Sequence, residues 1–263
     1  MKFLQIDIAD RIATVTLDRP KVNALTAQMF REITEAFDAL ARSREASVVI
    51  LTAKGETLFC AGVDLQDSAR RHARELGEGD TVVDLLDPGA SPRDCFNAVM
   101  DCPLPVIGAI NGKAIGAGAV LAACCDIVVA SDNASFSVPE IKAGVLGGAR
   151  HLQRLVGSHK MRVMYLTGDA VPAQELYRLG AIETVVAPGE LMNEARRLAA
   201  RIAANSPLGL RLGKEAMNRV EDMPVKEGYR LEQDYTSRVS RFNDSQEARA
   251  AYLEKREPAW SWT

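Results

Sequence analysis

Two stretches of small residues stand out as places where backbone could do chemistry. They are Phe59-Cys60-Ala61-Gly62-Val63-Asp64-Leu65 and the run from Asn111 to Gly118. Each follows a short apolar segment. Small side chains let a ligand approach the main chain, and helix N-termini present unpaired N–H groups, so both loops suit an oxygen that carries negative charge. Phosphate is the obvious competitor. Gly112-Lys113 is followed by Ala114, which breaks the P-loop pattern, and Gly116-x-Gly118 would need a third glycine where Leu121 stands. One Gly-rich loop can serve tight backbone packing alone; two in one register favour a ligand site.

The elements that must position these loops follow from periodicity. Residues 3–17 hold two β-rich runs, LQIDI and IATVTL, that read as a hairpin. Met29, Ile33, Phe37 and Leu40 recur at helical spacing behind Thr26, a suitable N-cap. Val48 to Leu51 is short and continuously apolar, as a buried parallel strand should be, and completes a β–α–β unit. The stretch 66–92 is charged and irregular, with Gly77, Gly79, Pro88, Gly89 and Pro92, and is expected to be mobile. A helix at Cys95 to Met100, a strand at Pro105 to Ile110, a helix at Val120 to Cys125 and a strand at Ile127 to Ala130 follow. This α/β pattern predicts stacked ββα turns better than a doubly wound sheet. From Ala149 the chain reads as helical, with Thr184-Val185-Val186 as the one expected strand. Leu191 to Ala204, Pro207 to Val220 and Pro224 to Ser240 are amphipathic, and Pro207 and Pro224 suit first-turn positions. Apolar faces on so helical a C-terminal third predict an oligomer.

The 263 residues are 47% hydrophobic, enough for a real core, and the net charge of −3 is spread among both signs. That balance argues against a nucleic-acid or anionic-membrane surface. Asp7, Asp10 and Arg11 interrupt any signal-peptide core, and no apolar run is long enough to span a bilayer. The five cysteines form no CxxC pair and no even framework, which points to reduced thiols in a cytoplasm, with Cys124 and Cys125 as packing residues.

Arg19 to Leu25, Phe59 to Leu65, Pro105 to Asp126, Phe136 to Leu155 and Leu166 to Asp169 resemble the crotonase (enoyl-CoA hydratase/isomerase) family, in the same order and at similar spacing. The resemblance runs to Glu-Lys-Arg at 254–256. It implies a spiral of ββα turns over residues 1–200, a helical trimerisation region over 201–263, and a homotrimer or dimer of trimers. It also implies a pocket for an acyl-CoA thioester, with coenzyme A as part of the substrate and neither cofactor nor metal besides. The family's oxyanion hole falls on the N–H groups of Val63 and Ala117, beside Gly116; such donors contribute about 3 kcal/mol each to a developing enolate. Val138-Pro139-Glu140 matches the motif whose carboxylate is the general acid or base. An apolar setting would raise the Glu140 pKa toward the working range, although an isolated glutamate is usually a surface residue. For CoA the resemblance points to Ala24, Ala61, Asp64 and Leu65 around adenine and pantetheine, and to Lys21 near the phosphates. Trp260 takes the place of a C-terminal aromatic that packs on CoA from a neighbouring chain, with plain interface burial as the alternative.

Two departures from the family pattern bear on the reaction. Conventional hydratases place a second glutamate where Val120 stands, and Gly148 occupies a position where some isomerases carry an acid. Arg150 and His151 replace small residues and are expected to enter or border the pocket, His151 as a candidate proton carrier; the alternative for His151 is a helix-lining role. His72 and His159 read as surface residues. The expected reaction is hydration of a 2-enoyl-CoA. Double-bond isomerisation and C–C hydrolysis of a cyclic β-keto acyl-CoA stay open, the latter with Arg150 or His151 assisting water. A non-catalytic CoA-ester scaffold is the alternative outside enzymology. RNA binding is disfavoured, because residues 27–44 mix Arg31, Arg42 and Arg44 with Glu32, Glu35 and Asp38.

Overall fold

The computed structural model describes residues 1–73 and 80–263, the side chain of His72 excepted. Gly77 and Gly79, and the side chain of His72, therefore lie outside the described residues.

The chain opens with an antiparallel hairpin, β1 (Leu4–Ala9) and β2 (Ile12–Leu17). Helix α1 (Ala27–Arg42) begins where expected: the Thr26 hydroxyl accepts the Met29 N–H, and Met29, Phe30, Ile33, Phe37 and Leu40 form its buried stripe. Strand β3 (Val48–Ala53) is buried on both faces and pairs parallel with β2, which accounts for its unbroken apolar sequence. Then come β4 (Leu58–Cys60), α2 (Leu65–His72), α3 (Val82–Leu86) and α4 (Ala90–Asp101). The described part of the stretch read as irregular is thus largely helical. Asp64 explains the first of these helices, since its carboxylate accepts the N–H groups of Gln66 and Asp67.

The next turn is β5 (Val106–Ile110), β6 (Lys113–Ile115) and α5 (Ala117–Ala123); Cys124 and Cys125 sit buried just past its end. It is followed by β7 (Ile127–Ser131), β8 (Ser135–Ser137), a 3-10 turn at Pro139–Ala143, and α6 (Ala149–Leu155). Strands β3, β5 and β7 belong to a six-stranded sheet of order β1-β2-β3-β5-β7-β10, with β10 at Thr184–Val186, while β4, β6 and β8 belong to a second sheet of order β4-β6-β8-β9, with β9 at Val171–Pro172. The chain therefore places one strand in each sheet per turn before its helical segment, which is the predicted spiral of ββα turns.

Helix α7 (Ser158–Thr167), the two-residue strand β9 (Val171–Pro172), α8 (Ala173–Arg178) and β10 (Thr184–Val186) close the sheets. β9 adds a strand to the one expected there. Helix α9 (Leu191–Ala203) lays Leu191, Ala195, Ala199 and Ala203 on Val48, Ile50, Ile107 and Val129 of the large sheet. The opposite face of that sheet meets the main core with α1, α4 and α5. Helices α10 (Pro207–Val220), α11 (Val225–Val239) and α12 (Asn243–Glu254) follow. Pro207 is in the first turn of α10, whereas Pro224 is the residue before α11. Helix α12 went unpredicted because its apolar residues keep no regular stripe.

Lys214 ties α10 to the core. Its ammonium, almost completely buried, lies 2.7 Å from Asp126 and donates to the Leu104 carbonyl at 3.1 Å. Asp126 also accepts the Val106 N–H at 2.7 Å. No helix among the described residues is long and apolar enough to cross a membrane.

Candidate active site

The two small-residue loops meet. Leu25 donates to the Gly62 carbonyl at 2.7 Å and Asp64 donates to the Leu25 carbonyl at 2.9 Å, so the residues flanking Val63 pair on one side. In extended backbone the intervening N–H points the other way. Val63 therefore turns its N–H from Leu25 toward the second loop. A β-carbon on Gly62 would meet the Ile115 carbonyl oxygen at 2.9 Å and the Ala117 nitrogen at 3.6 Å, which measures how closely the loops approach. Ala117 is the first residue of α5, where an N–H has no partner within the helix. Neither N–H donates to another described residue.

Glu140 reaches the same point from the 3-10 turn, in which Pro139 fixes the first position. Gly116, at φ +55°, is the residue beneath it: a β-carbon there would lie 2.6 Å from Glu140 Oε1. Glu140 Oε2 is buried without a hydrogen-bond partner. Desolvation pushes the carboxyl above its ordinary pKa, and only its own backbone N–H opposes the shift.

A cavity of about 330 Å³ joins these groups. Val63, Leu65, Ala117, Val120, Glu140 and Gly148 all line it, and Glu140 is its one carboxyl among the described residues. Val120 fills the wall where a second acid was considered. A β-carbon on Gly148 would meet its Cγ2 at 2.8 Å, so the two positions pack on each other and neither supplies a proton.

The remaining expected residues divide. The Ala61 N–H donates to the Val22 carbonyl at 3.1 Å, placing the loop of Lys21 and Ala24 along the edge of the loop of Ala61, Asp64 and Leu65. Lys21 is exposed there, and Leu65 is 69% exposed at the cavity rim. The Asp64 carboxylate is committed to capping α2 and to Arg19, 2.9 Å away. Desolvation would raise its pKa, but the Asp67 N–H, Arg19 and the Gln66 N–H outweigh it and hold it low. Trp260 lies apart within the chain. Its indole donates to the Ala204 carbonyl at 3.0 Å and faces a different cavity, with Asp7, Arg11 and Arg196.

Arg150 corrects the expectation made for it. Its guanidinium is 61% exposed and bound to Asp222 at 2.8 Å, so it does not line the cavity and cannot assist water there. His151 stands one layer back: its ring lies 5.4 Å from that of Phe96, and Phe96 lines the cavity. Burial, then the charges of Arg154 and Arg150, lower the His151 pKa and favour neutral imidazole. Ser68, Arg71 and Pro88, from the segment read as irregular, also line the cavity, as does Phe96 from the expected helix of Cys95 to Met100; the sequence marks none of them as a site residue.

Two unpaired backbone donors beside one desolvated carboxyl can stabilise an enolate and move a proton at the adjacent carbon. The family model described as Enoyl-CoA hydratase/isomerase matches residues 7–262. The chain belongs to the enoyl-CoA hydratase/isomerase family. This family acts on acyl-CoA thioesters, and the ββα spiral is its fold. Among its members, the (7aS)-7a-methyl-1,5-dioxo-2,3,5,6,7,7a-hexahydro-1H-indene-carboxyl-CoA hydrolase of Rhodococcus jostii is 39% identical over 249 residues, 95% of this chain and 93% of that protein. The carnitinyl-CoA dehydratase of Proteus mirabilis is 35% identical over 98% of this chain and 97% of its own. The crystal structure of the enoyl-CoA hydratase from Bacillus anthracis superimposes with a TM-score of 0.88 at 30% identity, covering 98% of each chain.

Proposed function

We propose that this enoyl-CoA hydratase/isomerase family member hydrolyses a ring C–C bond of a cyclic β-keto acyl-CoA, with Val63 and Ala117 as oxyanion donors and Glu140 as the single proton carrier. The observation that carries the reading is the pairing of one carboxyl, Glu140, with an apolar wall at Val120 and Gly148. Glu140 takes a proton from water as the water oxygen attacks the ring ketone carbon. The bond between that carbon and the thioester α-carbon then breaks, and its electron pair becomes the thioester enolate. Glu140 returns the proton to the α-carbon, leaving a carboxylic acid and a saturated thioester. One carboxyl completes the cycle, because each proton it accepts it later delivers. The name of the Rhodococcus jostii relative supports the same chemistry.

Hydration of a 2-enoyl-CoA is the second reading, favoured by the Bacillus anthracis structure. There Glu140 alone would activate water and protonate the α-carbon. An alkene β-carbon is a weaker electrophile than a ketone carbon, so hydration benefits more from the second acid that Val120 replaces. Isomerisation also needs one carrier, but no separate observation favours it. Incubating wild type and Glu140→Gln with cyclic β-keto, 2-enoyl and 3-enoyl thioesters, followed by mass spectrometry, tests the choice. A Glu140-dependent gain of water with ring opening supports the proposal; gain of water by the enoyl ester alone replaces it with hydration. Binding without any turnover would make the chain a scaffold.

The same proposal includes a homotrimer or dimer of trimers assembled through residues 201–263. Its support is the apolar surface on these helices, with Met217, Val225, Tyr229, Tyr252 and Leu253 each at least 60% exposed. Sedimentation of wild type and Leu253→Asp tests it: a trimer or hexamer that dissociates in the variant is expected, and a monomeric wild type would end it.

A further inference from the structure

Arg71 is a charged side chain that the proposed chemistry does not use. It is 5% exposed, yet it lines the cavity that holds Glu140. Its fork is fixed on two sides: Nε donates to Asp67 at 3.1 Å and Nη1 donates to the Pro88 carbonyl at 2.7 Å. No hydrogen bond joins Nη2 to a described residue. Asp67 is shared, since it also accepts from Arg70 and from the Ala27 N–H. Arg71 does not pair with Glu140, whose Oε2 has no partner. It is the one cation among the described residues lining this cavity.

Position along α2 matters as much as charge. Leu65 at the start of the helix borders the oxyanion donor Val63, and Arg71 comes six residues later, about 9 Å further along the axis. Phe96, Pro92 and Val145 make the neighbouring wall apolar. A guanidinium set into such a wall, with Nη2 bound to no described residue, is pre-organised for an acceptor oxygen, because the cost of burying it is already met by Asp67 and Pro88.

We propose that Arg71 is a specificity-determining residue that selects acyl groups bearing a keto or carboxylate oxygen remote from the thioester. Plain hydrocarbon acyl groups of equal size bind more weakly, and groups ending in a quaternary ammonium are rejected by like charge. The proposal rests on the reading of this cavity as the acyl-CoA pocket, but not on which bond is cleaved there.

Binding of unreactive saturated thioesters tests it without turnover. Isothermal titration of the full-length protein would use hexanoyl-CoA, 5-oxohexanoyl-CoA, 5-carboxypentanoyl-CoA and 4-trimethylammoniobutanoyl-CoA. Wild type should bind the oxo or the carboxy ester about tenfold or more tighter than hexanoyl-CoA, and the ammonium ester most weakly. Whichever oxygen ester gains names the acceptor. Arg71→Met should erase the preference while leaving hexanoyl-CoA within about threefold, and Arg71→Lys, which keeps charge without the fork, should retain part of it. If Arg71→Met does not fold, Arg71→Lys and the wild-type ranking still decide. Equal weakening of every ester in the variants, or no oxygen preference in wild type, overturns the role of Arg71. If no CoA ester binds to wild type, it is the acyl-CoA pocket itself that fails.

Discussion

Glu140 Oε1 sits directly over the α-carbon of Gly116, so near that a β-carbon at residue 116 would meet it at 2.6 Å. Because Gly116 precedes Ala117, one of the two proposed oxyanion donors, this contact sets the carboxyl beside the point where the proposed reaction would develop enolate charge. Gly116→Ala should therefore lower kcat by about 100-fold through displacement of the carboxyl. The strained φ should also cost about 1 kcal/mol or more of stability. Steady-state kinetics with thermal unfolding checks both; unchanged kcat would mean that Glu140 does not act from this position.

The raised pKa of Glu140 gives a pH dependence with a defined sign. The folded protein favours the protonated carboxyl, so this group contributes stability below its unfolded pKa and loses it as pH rises through the folded value. Glu140→Gln should be more stable than wild type at neutral pH, with the difference closing in acid. Denaturant titrations across pH read this directly, and the acid limb of kcat/KM should lie above the ordinary carboxylate value of 4.5.

Val120→Glu places a second acid on α5, where residue 120 lines the cavity that holds Glu140. The expected result is a shift of relative activity toward 2-enoyl-CoA hydration and away from ring cleavage, with about 1–3 kcal/mol lost because the new carboxyl is buried. Comparing the two activities in one preparation checks it; parallel loss of both would contradict the assignment of Val120.

Lys214→Met should destabilise the fold by about 3–5 kcal/mol, because it leaves Asp126 buried without its counter-charge. Burial raises the Asp126 pKa even with Lys214 present, so a protonated Asp126 should partly relieve the variant at low pH. Replacing both residues, Lys214→Met with Asp126→Asn, should recover part of the loss by chemical denaturation.

The parts of this account readable from sequence are those with local causes. Thr26 caps α1, the unbroken run at β3 marks a strand buried on both faces, and two small-residue turns mark the loops that meet at the cavity. The resemblance supplied Glu140, whose desolvation no local pattern shows. Helix α2 was missed because LQDSARRH carries no apolar stripe. It is held by the Asp64 cap and by Arg70 and Arg71 bound to Asp67, while Arg70 also reaches Asp80 from outside the helix. The burial of Arg71 depends on these contacts and on Pro88, so its presence in the cavity is a tertiary fact. Arg150 misled for the same reason, since its partner Asp222 lies 72 residues away.

Exchange of the α-hydrogen of a bound thioester with deuterated solvent tests the central claim most directly, because it reads proton transfer at the enolate whatever bond the enzyme later breaks. A saturated 5-oxohexanoyl-CoA incubated in D2O and followed by mass spectrometry should gain deuterium with wild type. Glu140→Gln should slow that exchange by about 100-fold or more while binding the ester within a few-fold of wild type. Equal exchange in the two proteins, or none in wild type despite tight binding, would contradict Glu140 as the proton carrier at this site.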